Sequence, residues 1–281
     1  MKNRILVSGG NGFLGKYICA NFSSQTYDML RLERDEKSVF DEKTIRLAHF
    51  VNDIKKNGVP EVIINCLGCY GRNGESDIEI LDINLRLCLQ LLQYVAEVNI
   101  PYFININTAL PENLNAYSLS KNQFSNWGKL YGESGKVNFI DLKMEHFYGP
   151  GCTKSNFITY LIESMLVPEP EIALTAGLQE RNFIYISDVV NAIEIILTHR
   201  KKFPRFTTIP VGGRETISIK ELALMIKEIT GSKTELQFGK IPYRNNEVMK
   251  SCTDISLLEK LGWFPQVDIR QGINNILRCL Q

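Results

Sequence analysis

The chain has 281 residues, 32 Lys and Arg against 31 Asp and Glu for a formal net charge of +1, and a hydrophobic content of 44%. That length suits one large α/β domain or a main domain with a smaller lobe. The apolar share suits a globular core, and the near-zero charge argues against any general affinity for nucleic acid or membrane surfaces. No apolar run reaches the length of a bilayer span, and Met1-Lys2-Asn3-Arg4 leads into a strand pattern rather than a signal peptide. Seven cysteines without paired spacing fit a reducing compartment, so a cytoplasmic location is expected.

Taken in chain order, Ile5-Leu6-Val7 predicts a strand over 4–8. The sequence Gly9-Gly10-Asn11-Gly12-Phe13-Leu14-Gly15 follows at once, then apolar residues at helical spacing to Ala20. Strand, glycine turn and helix in this order make a phosphate cradle. Glycines let backbone approach a pyrophosphate, and the helix start offers N–H groups and the positive end of its dipole. Gly9, Gly12, Phe13, Leu14 and Gly15 are therefore the expected dinucleotide contacts. Further strands are predicted over 29–33, 62–66, 102–107 and 137–144, and helices over 42–56, 77–99 (ending before Pro101) and 117–132. Several strands are continuous apolar runs, as buried parallel strands are, and the alternation predicts a Rossmann-type doubly wound parallel sheet over residues 1–148.

The pattern loosens after Tyr148. Helices are predicted over 156–165, interrupted by Pro168-Glu169-Pro170, and over 187–199, 219–230 with Gly231 as C-cap, and 268–280. Residues 149–281 read as a smaller, mainly substrate-binding lobe.

Tyr117-Ser118-Leu119-Ser120-Lys121 places a phenol and an ammonium at i and i+4, on one helix face. A neighbouring cation favours phenolate and is expected to lower the Tyr pKa, so that Tyr117 can exchange a proton at neutral pH. Glu33 ends the second strand, where an acid accepts hydrogen bonds from an adenosine ribose 2′-hydroxyl; Arg34, next in sequence, favours a 2′-phosphate. NADH and NADPH both remain open. Cys66-x-x-Cys69 lacks the second pair that a zinc site needs, and His49, His146 and His199 are scattered, so no metal is expected.

The glycine turn together with Tyr117 and Lys121 resembles the extended short-chain dehydrogenase/reductase family, the NAD-dependent epimerases and dehydratases of nucleotide sugars, over nearly the whole chain. Asn65-Cys66-Leu67-Gly68 lies where that family has a turn beside the cofactor, which implies a cofactor contact at Leu67. Asn84 and Thr108 match the family's Asn and its Ser or Thr, although the Thr108–Tyr117 spacing is shorter than in most members. The resemblance implies that Tyr117 moves the proton and that Lys121 holds the cofactor ribose. It implies that Thr108 bonds the substrate oxygen and that Asn84 orders a backbone or water link to Lys121. Arg181 and Arg244 match positions that contact a nucleotide diphosphate, with Asn156 beside it, and residues 182–211 are expected to return to the first domain.

Dehydratases of the family carry an acidic pair after the Thr; here Ala109-Leu110 follow, and neither transfers a proton. The segments 143–151, 181–192 and 244–249 most resemble the branch of 4-ketoreductases typified by CDP-abequose synthase. The expected activity is NAD(P)H-dependent reduction of the C4 ketone of a CDP- or dTDP-linked 4-keto-6-deoxy or 3,6-dideoxy hexose for O-antigen-type polysaccharide. A 4-epimerase with tightly bound NAD is the alternative. A homodimer formed through the helices carrying Asn84 and Tyr117 is also implied.

Overall fold

The computed structural model describes residues 2–33, 43–167 and 170–280, so Arg34, Lys37–Asp41 and Pro168-Glu169 lie outside the described residues. The chain forms two compact units. One comprises the described residues up to Met144 together with Ile193–Ile209; the other comprises Glu145–Ala192 and Pro210 onward.

The first unit alternates β1 (Asn3–Ser8), α1 (Phe13–Asn21), β2 (Tyr27–Glu33), β3 (Thr44–Arg46), α2 (Phe50–Asn57), β4 (Val62–Asn65), α3 (Asp77–Leu81), α4 (Cys88–Glu97), β5 (Tyr102–Thr108), α5 (Ala116–Glu133) and β6 (Asn138–Met144). The second unit begins with β7 (His146–Tyr148), α6 (Phe157–Leu166), β8 (Glu171–Leu174) and β9 (Glu180–Tyr185). Helix α7 (Ile186–His199) and β10 (Phe206–Val211) follow, then β11 (Thr216–Ser218), α8 (Ile219–Thr230), β12 (Glu235–Phe238), α9 (Ser256–Lys260) and α10 (Ile269–Leu280).

The main sheet has the order β10-β6-β5-β4-β1-β2-β3. Strand β1 pairs in parallel with both β2 and β4, which makes the carboxyl ends of β1 and β4 the switch point where doubly wound sheets bind ligands. The core is apolar and tightly layered. Leu6, Ile63 and Phe103 from the strands meet Leu91, Leu92, Val95 and Phe124 from the helices. Phe139 stacks on Phe103 with ring centroids 5.2 Å apart and lies against Gly128, where a Cβ would collide with the ring. Truncating such a buried aromatic to alanine costs about 3–5 kcal/mol.

A row of polar side chains crosses this apolar sheet. Ser8, Asn65, Asn105 and Asp141 are register neighbours on β1, β4, β5 and β6, and all four are fully buried. The Ser8 hydroxyl donates to Asn65 (2.7 Å), the Asn65 amide to Asn105 (3.0 Å), and the Asn105 amide to the Asp141 carboxylate (2.7 Å). Asp141 also accepts from Asn107 (2.8 Å) and from Ser125 on α5 (2.7 Å). Burial of polar groups on this scale is tolerable because each is paired.

Three expectations need correction. The helix predicted over 42–56 begins only at Phe50: Thr44 and Ile45 instead pair with Arg31 and Leu32 as β3, since the β-branched pair fits the buried sheet edge. The helix predicted over 77–99 is interrupted by a π-helical turn, Asp82–Leu87, between α3 and α4. The strands β7 to β12 were not foreseen, because they are short and lack clear alternation. Of these, β10 joins the main sheet beside β6, and the others form a three-stranded sheet β11-β9-β7 and a two-stranded sheet β12-β8. Helix α8 buries Ile219, Leu222, Ala223 and Ile226, the i, i+3, i+4, i+7 stripe, and ends at Gly231 in the left-handed conformation as predicted.

Candidate active site

The glycine turn has the shape its spacing predicts. Gly9 sits at φ +68°, a left-handed value that glycine adopts without strain. A Cβ on Gly15 would run into the Gly9 carbonyl, so the helix can start this close to the turn only with glycine there. No side chain caps the start of α1, and the first-turn N–H groups emerge beside the turn, where an anion can accept from them. Glu33 closes β2 with its carboxylate oxygens accepting from the Asn11 amide of the turn (2.9 and 3.0 Å). Leu67 lines an apolar recess with Leu32, Leu47, Leu87 and Leu91 at the ends of these strands. The glycine turn with its open N–H groups, the Glu33 carboxylate and a small apolar recess thus lie together at the carboxyl ends of β1, β2 and β4. Among the described residues no group of His, Cys, Asp or Glu could hold a metal ion.

Lys121, Asn84 and Tyr117 converge on the turn that leaves β4. Lys121, 2% exposed as a residue, donates from its ammonium to the Leu67 carbonyl (3.0 Å). The π-helical turn drops Asn84 into the core, where its side chain accepts from the Cys69 N–H (2.7 Å) and donates to the Cys69 carbonyl (2.9 Å) and the Ser120 hydroxyl (3.1 Å). Asn84 therefore reaches Lys121 through backbone: it fixes Cys69, two residues from the carbonyl that Lys121 holds. Ser120 in turn donates to the Tyr117 carbonyl (3.0 Å). Asn115 and Ser118 form a reciprocal cap that sets where α5 starts, and so the direction of Tyr117.

Tyr117 is buried, and Thr108 at the end of β5 lies beside it despite the short connection. Tyr70, absent from the sequence-based set, stacks on Tyr117 with ring centroids 4.6 Å apart. The expected lowering of the Tyr117 pKa is not found. Burial pushes the phenol well above its ordinary value, the neighbouring Tyr70 adds to the rise, and Thr108 and Arg72 only oppose it. Burial likewise pulls the Lys121 ammonium below its usual range, with Cys88 and Asp141 opposing. The i, i+4 rule brings the two groups to one face, but low dielectric, which spacing does not encode, dominates both.

In the second unit, Asn156 caps α6, accepting from the Ile158 N–H (3.1 Å) and donating to the Phe147 carbonyl (3.2 Å). Arg181 shares its guanidinium among Glu247 and the carbonyls of Glu180 and Val248. Arg244 is exposed and close enough to Arg181 for their charges to interact. Sequence reasoning missed Glu145, a buried carboxylate that accepts from Ser251 (2.6 Å) and Thr253 with His146 beside it. The pairing partners lie about a hundred residues away, so no local pattern announces them.

The NAD dependent epimerase/dehydratase family model matches residues 5–212. The chain is 28% identical to CDP-abequose synthase of Salmonella typhimurium, over 100% of this chain and 99% of that protein. It is 29% identical to the CDP-abequose synthase of Salmonella muenchen, over 99% and 98%. Among solved structures it aligns with UDP-glucose 4-epimerase of Thermotoga maritima, determined with UDP-glucose, at a TM-score of 0.84 and 19% identity over 99% of this chain and 98% of that one; at that identity the likeness is one of fold.

Proposed function

Since this chain belongs to the NAD dependent epimerase/dehydratase family, we propose that it reduces the C4 ketone of a CDP- or dTDP-linked 4-keto-6-deoxy or 3,6-dideoxy hexose, as a step in making a surface polysaccharide of the O-antigen kind. The observation that carries this reading is Thr108 beside Tyr117, with Lys121 one helical turn along α5 and held by the turn after β4, and with Ala109-Leu110 after Thr108 offering no acid or base for dehydration. Full-length similarity to two CDP-abequose synthases supports the reductase branch.

NADH or NADPH, held by the glycine turn, supplies hydride. The chain's residues do the rest. Thr108 and Tyr117 present two hydroxyls to the ketone oxygen, and Tyr117 Oη gives up the proton that the nascent alkoxide needs. A phenol kept protonated by burial is poised as that acid. Lys121 is anchored by Leu67 at the depth where a nicotinamide ribose would reach it, and Asn84 keeps that anchor in place. The carboxylate of Glu33 favours NADH, because it would repel a 2′-phosphate.

For the nucleotide diphosphate, Arg244 and Arg181 are the proposed cations. Arg181 would engage it by exchanging its contact with Glu247. A homodimer belongs to the same reading. Leu91, Leu92 and Val95 on α4 are core residues, but Ile78, Leu81, Trp127 and Leu130 on α3 and α5 are exposed apolar side chains that a second copy would cover. No described helix is long and apolar enough to cross a membrane.

The test is direct. Purified protein is incubated with CDP- and dTDP-linked 4-keto-6-deoxyhexoses and each reduced nicotinamide, and products are read by NMR. Stoichiometric nicotinamide oxidation with a new C4 carbinol supports the reading. Interconversion of finished sugar nucleotides without net nicotinamide turnover replaces it with the 4-epimerase.

A further inference from the structure

Thr108 closes β5 and supplies one of the two hydroxyls that the proposed reaction sets against the ketone oxygen. What fixes that hydroxyl lies one residue back. The Ala109 N–H bonds the Met144 carbonyl at the end of β6 (2.9 Å). Successive N–H groups of a strand point to opposite edges, so the Thr108 N–H faces the other neighbour. That neighbour is β4, which stops at Asn65, level with Asn105 and short of Thr108. The sheet therefore offers the Thr108 N–H no carbonyl. The Asn107 side chain takes that place, its Oδ1 accepting from the Thr108 N–H (2.8 Å).

Asn107 is held in this orientation. Its Nδ2 donates to the Asp141 carboxylate (2.8 Å). Turning the amide over would set its oxygen against the carboxylate and its NH2 against the Thr108 N–H, two contacts without a bond. The same Asp141 oxygen accepts from Ser125 on α5 (2.7 Å), and the Lys143 ammonium stands 3.8 Å away as a balancing charge while donating to Asn122 on α5. Thr108 is pinned on its other side as well, where its Oγ1 accepts from the Leu110 N–H (3.2 Å). With that lone pair in use, the hydroxyl keeps its proton free to donate.

We propose that Asn107, aimed by Asp141, is a positioning residue for ketone reduction: it holds the end of β5 so that the Thr108 proton meets the ketone oxygen. This inference rests on the reductase reading above. Asn107 is 2% exposed and Asp141 fully buried, so both act through Thr108 rather than on the substrate. Their effect is on angle and distance. A hydrogen bond weakens steeply as it bends, and a misplacement of about 1 Å at a reacting group costs up to about a hundredfold in rate.

Asn107→Leu keeps the shape and deletes both bonds. Its kcat for reduction of a nucleotide-linked 4-keto-6-deoxyhexose should fall on the order of tenfold with KM within about twofold, because the lost alignment matters in the transition state. Thr108→Val, which removes the hydroxyl itself, should cost about a hundredfold. In the Thr108→Val background, adding Asn107→Leu should change kcat by less than about twofold, since no hydroxyl is left to aim. Asn107→Asp is the conservative variant. At low pH the new carboxyl and Asp141 share one proton, so the new group donates to Asp141 and accepts from Thr108 as the amide does. As pH rises the proton leaves, the like charges repel, and the Thr108 N–H loses its partner. The ratio of variant to wild-type kcat should therefore fall with rising pH for Asn107→Asp and stay flat for Asn107→Leu. A merely structural role would lower the rate equally in both Thr108 backgrounds. Equal losses with and without the Thr108 hydroxyl, wild-type kcat in Asn107→Leu, or a pH-independent ratio for Asn107→Asp overturns the positioning role and leaves the reductase reading standing. A wild-type protein that reduces no 4-keto sugar nucleotide overturns both.

Discussion

Replacing Asp141 by Asn changes two atoms' chemistry at the centre of the sheet and tests whether the buried polar row holds the site's floor. The carboxylate accepts from three donors: Asn105 at 2.7 Å on one oxygen, and Asn107 at 2.8 Å and Ser125 at 2.7 Å on the other. An amide in its place keeps one oxygen. If that oxygen faces Asn107 and Ser125, the new NH2 meets the Asn105 NH2. Turning Asn105 over moves the conflict to Asn65, and turning Asn65 over moves it to Ser8, whose hydroxyl can reverse. That last flip breaks the bond from the Leu67 N–H to the Asn65 oxygen (3.4 Å) in the very turn that Lys121 grips. Each charge-assisted bond reduced to a neutral one costs about 0.5–1.5 kcal/mol, and one orphaned donor about 1–3 kcal/mol. The expected loss is about 2–4 kcal/mol, a fall in Tm of roughly 3–7 °C for a chain of this size. Urea unfolding should show a lower midpoint at unchanged slope. Ser125→Ala combined with Asp141→Asn should cost less than the sum of the two, since they share a bond. A change within about 0.5 kcal/mol of wild type, the size of an ordinary surface substitution, would refute the idea that this row is structurally coupled.

The remaining expectations follow from the same geometry. Tyr117→Phe should lower kcat for ketone reduction about 10²–10⁴-fold with little change in cofactor affinity, measured by nicotinamide fluorescence; turnover near the wild-type rate would remove Tyr117 as proton donor. Glu33→Ala should weaken NADH binding by about 1.5–3 kcal/mol, ten- to a hundredfold, while NADPH binding holds or improves, and calorimetry with both nucleotides decides it. Glu145 is buried, which alone would raise its pKa, but the nearby His146 ring and bonds from Ser251 and Thr253 hold it below its ordinary 4.5. A carboxyl lowered in the folded state stabilises above its unfolded pKa and loses that contribution as pH falls through the folded value. Glu145→Gln should therefore unfold about 1–3 kcal/mol more easily at pH 7, with the gap to wild type closing below pH 4.5 in urea titrations; a gap that stays constant with pH would contradict the assignment.

Local spacing alone determined the glycine turn, the Tyr117–Lys121 pair and the strand–helix alternation, because each depends on residues a few positions apart and on the periods of 2 and 3.6. Gly9 and Gly15 are needed where the backbone itself comes close, and a sequence can announce that. The tertiary structure decided everything set by long-range approach. Thr44–Arg46 became a strand because β2 offered an edge. Asn84 reached Cys69 only through a π-helical turn, and Tyr70 covers Tyr117 where Asn84 clamps the preceding Cys69. The Ser8–Asp141 row looks in sequence like four unrelated polar interruptions. Burial, which follows from the packing of the whole unit, then overrode the charge that the Tyr–Lys spacing led one to expect at Tyr117, since desolvation grows with every neighbour and spacing counts only one.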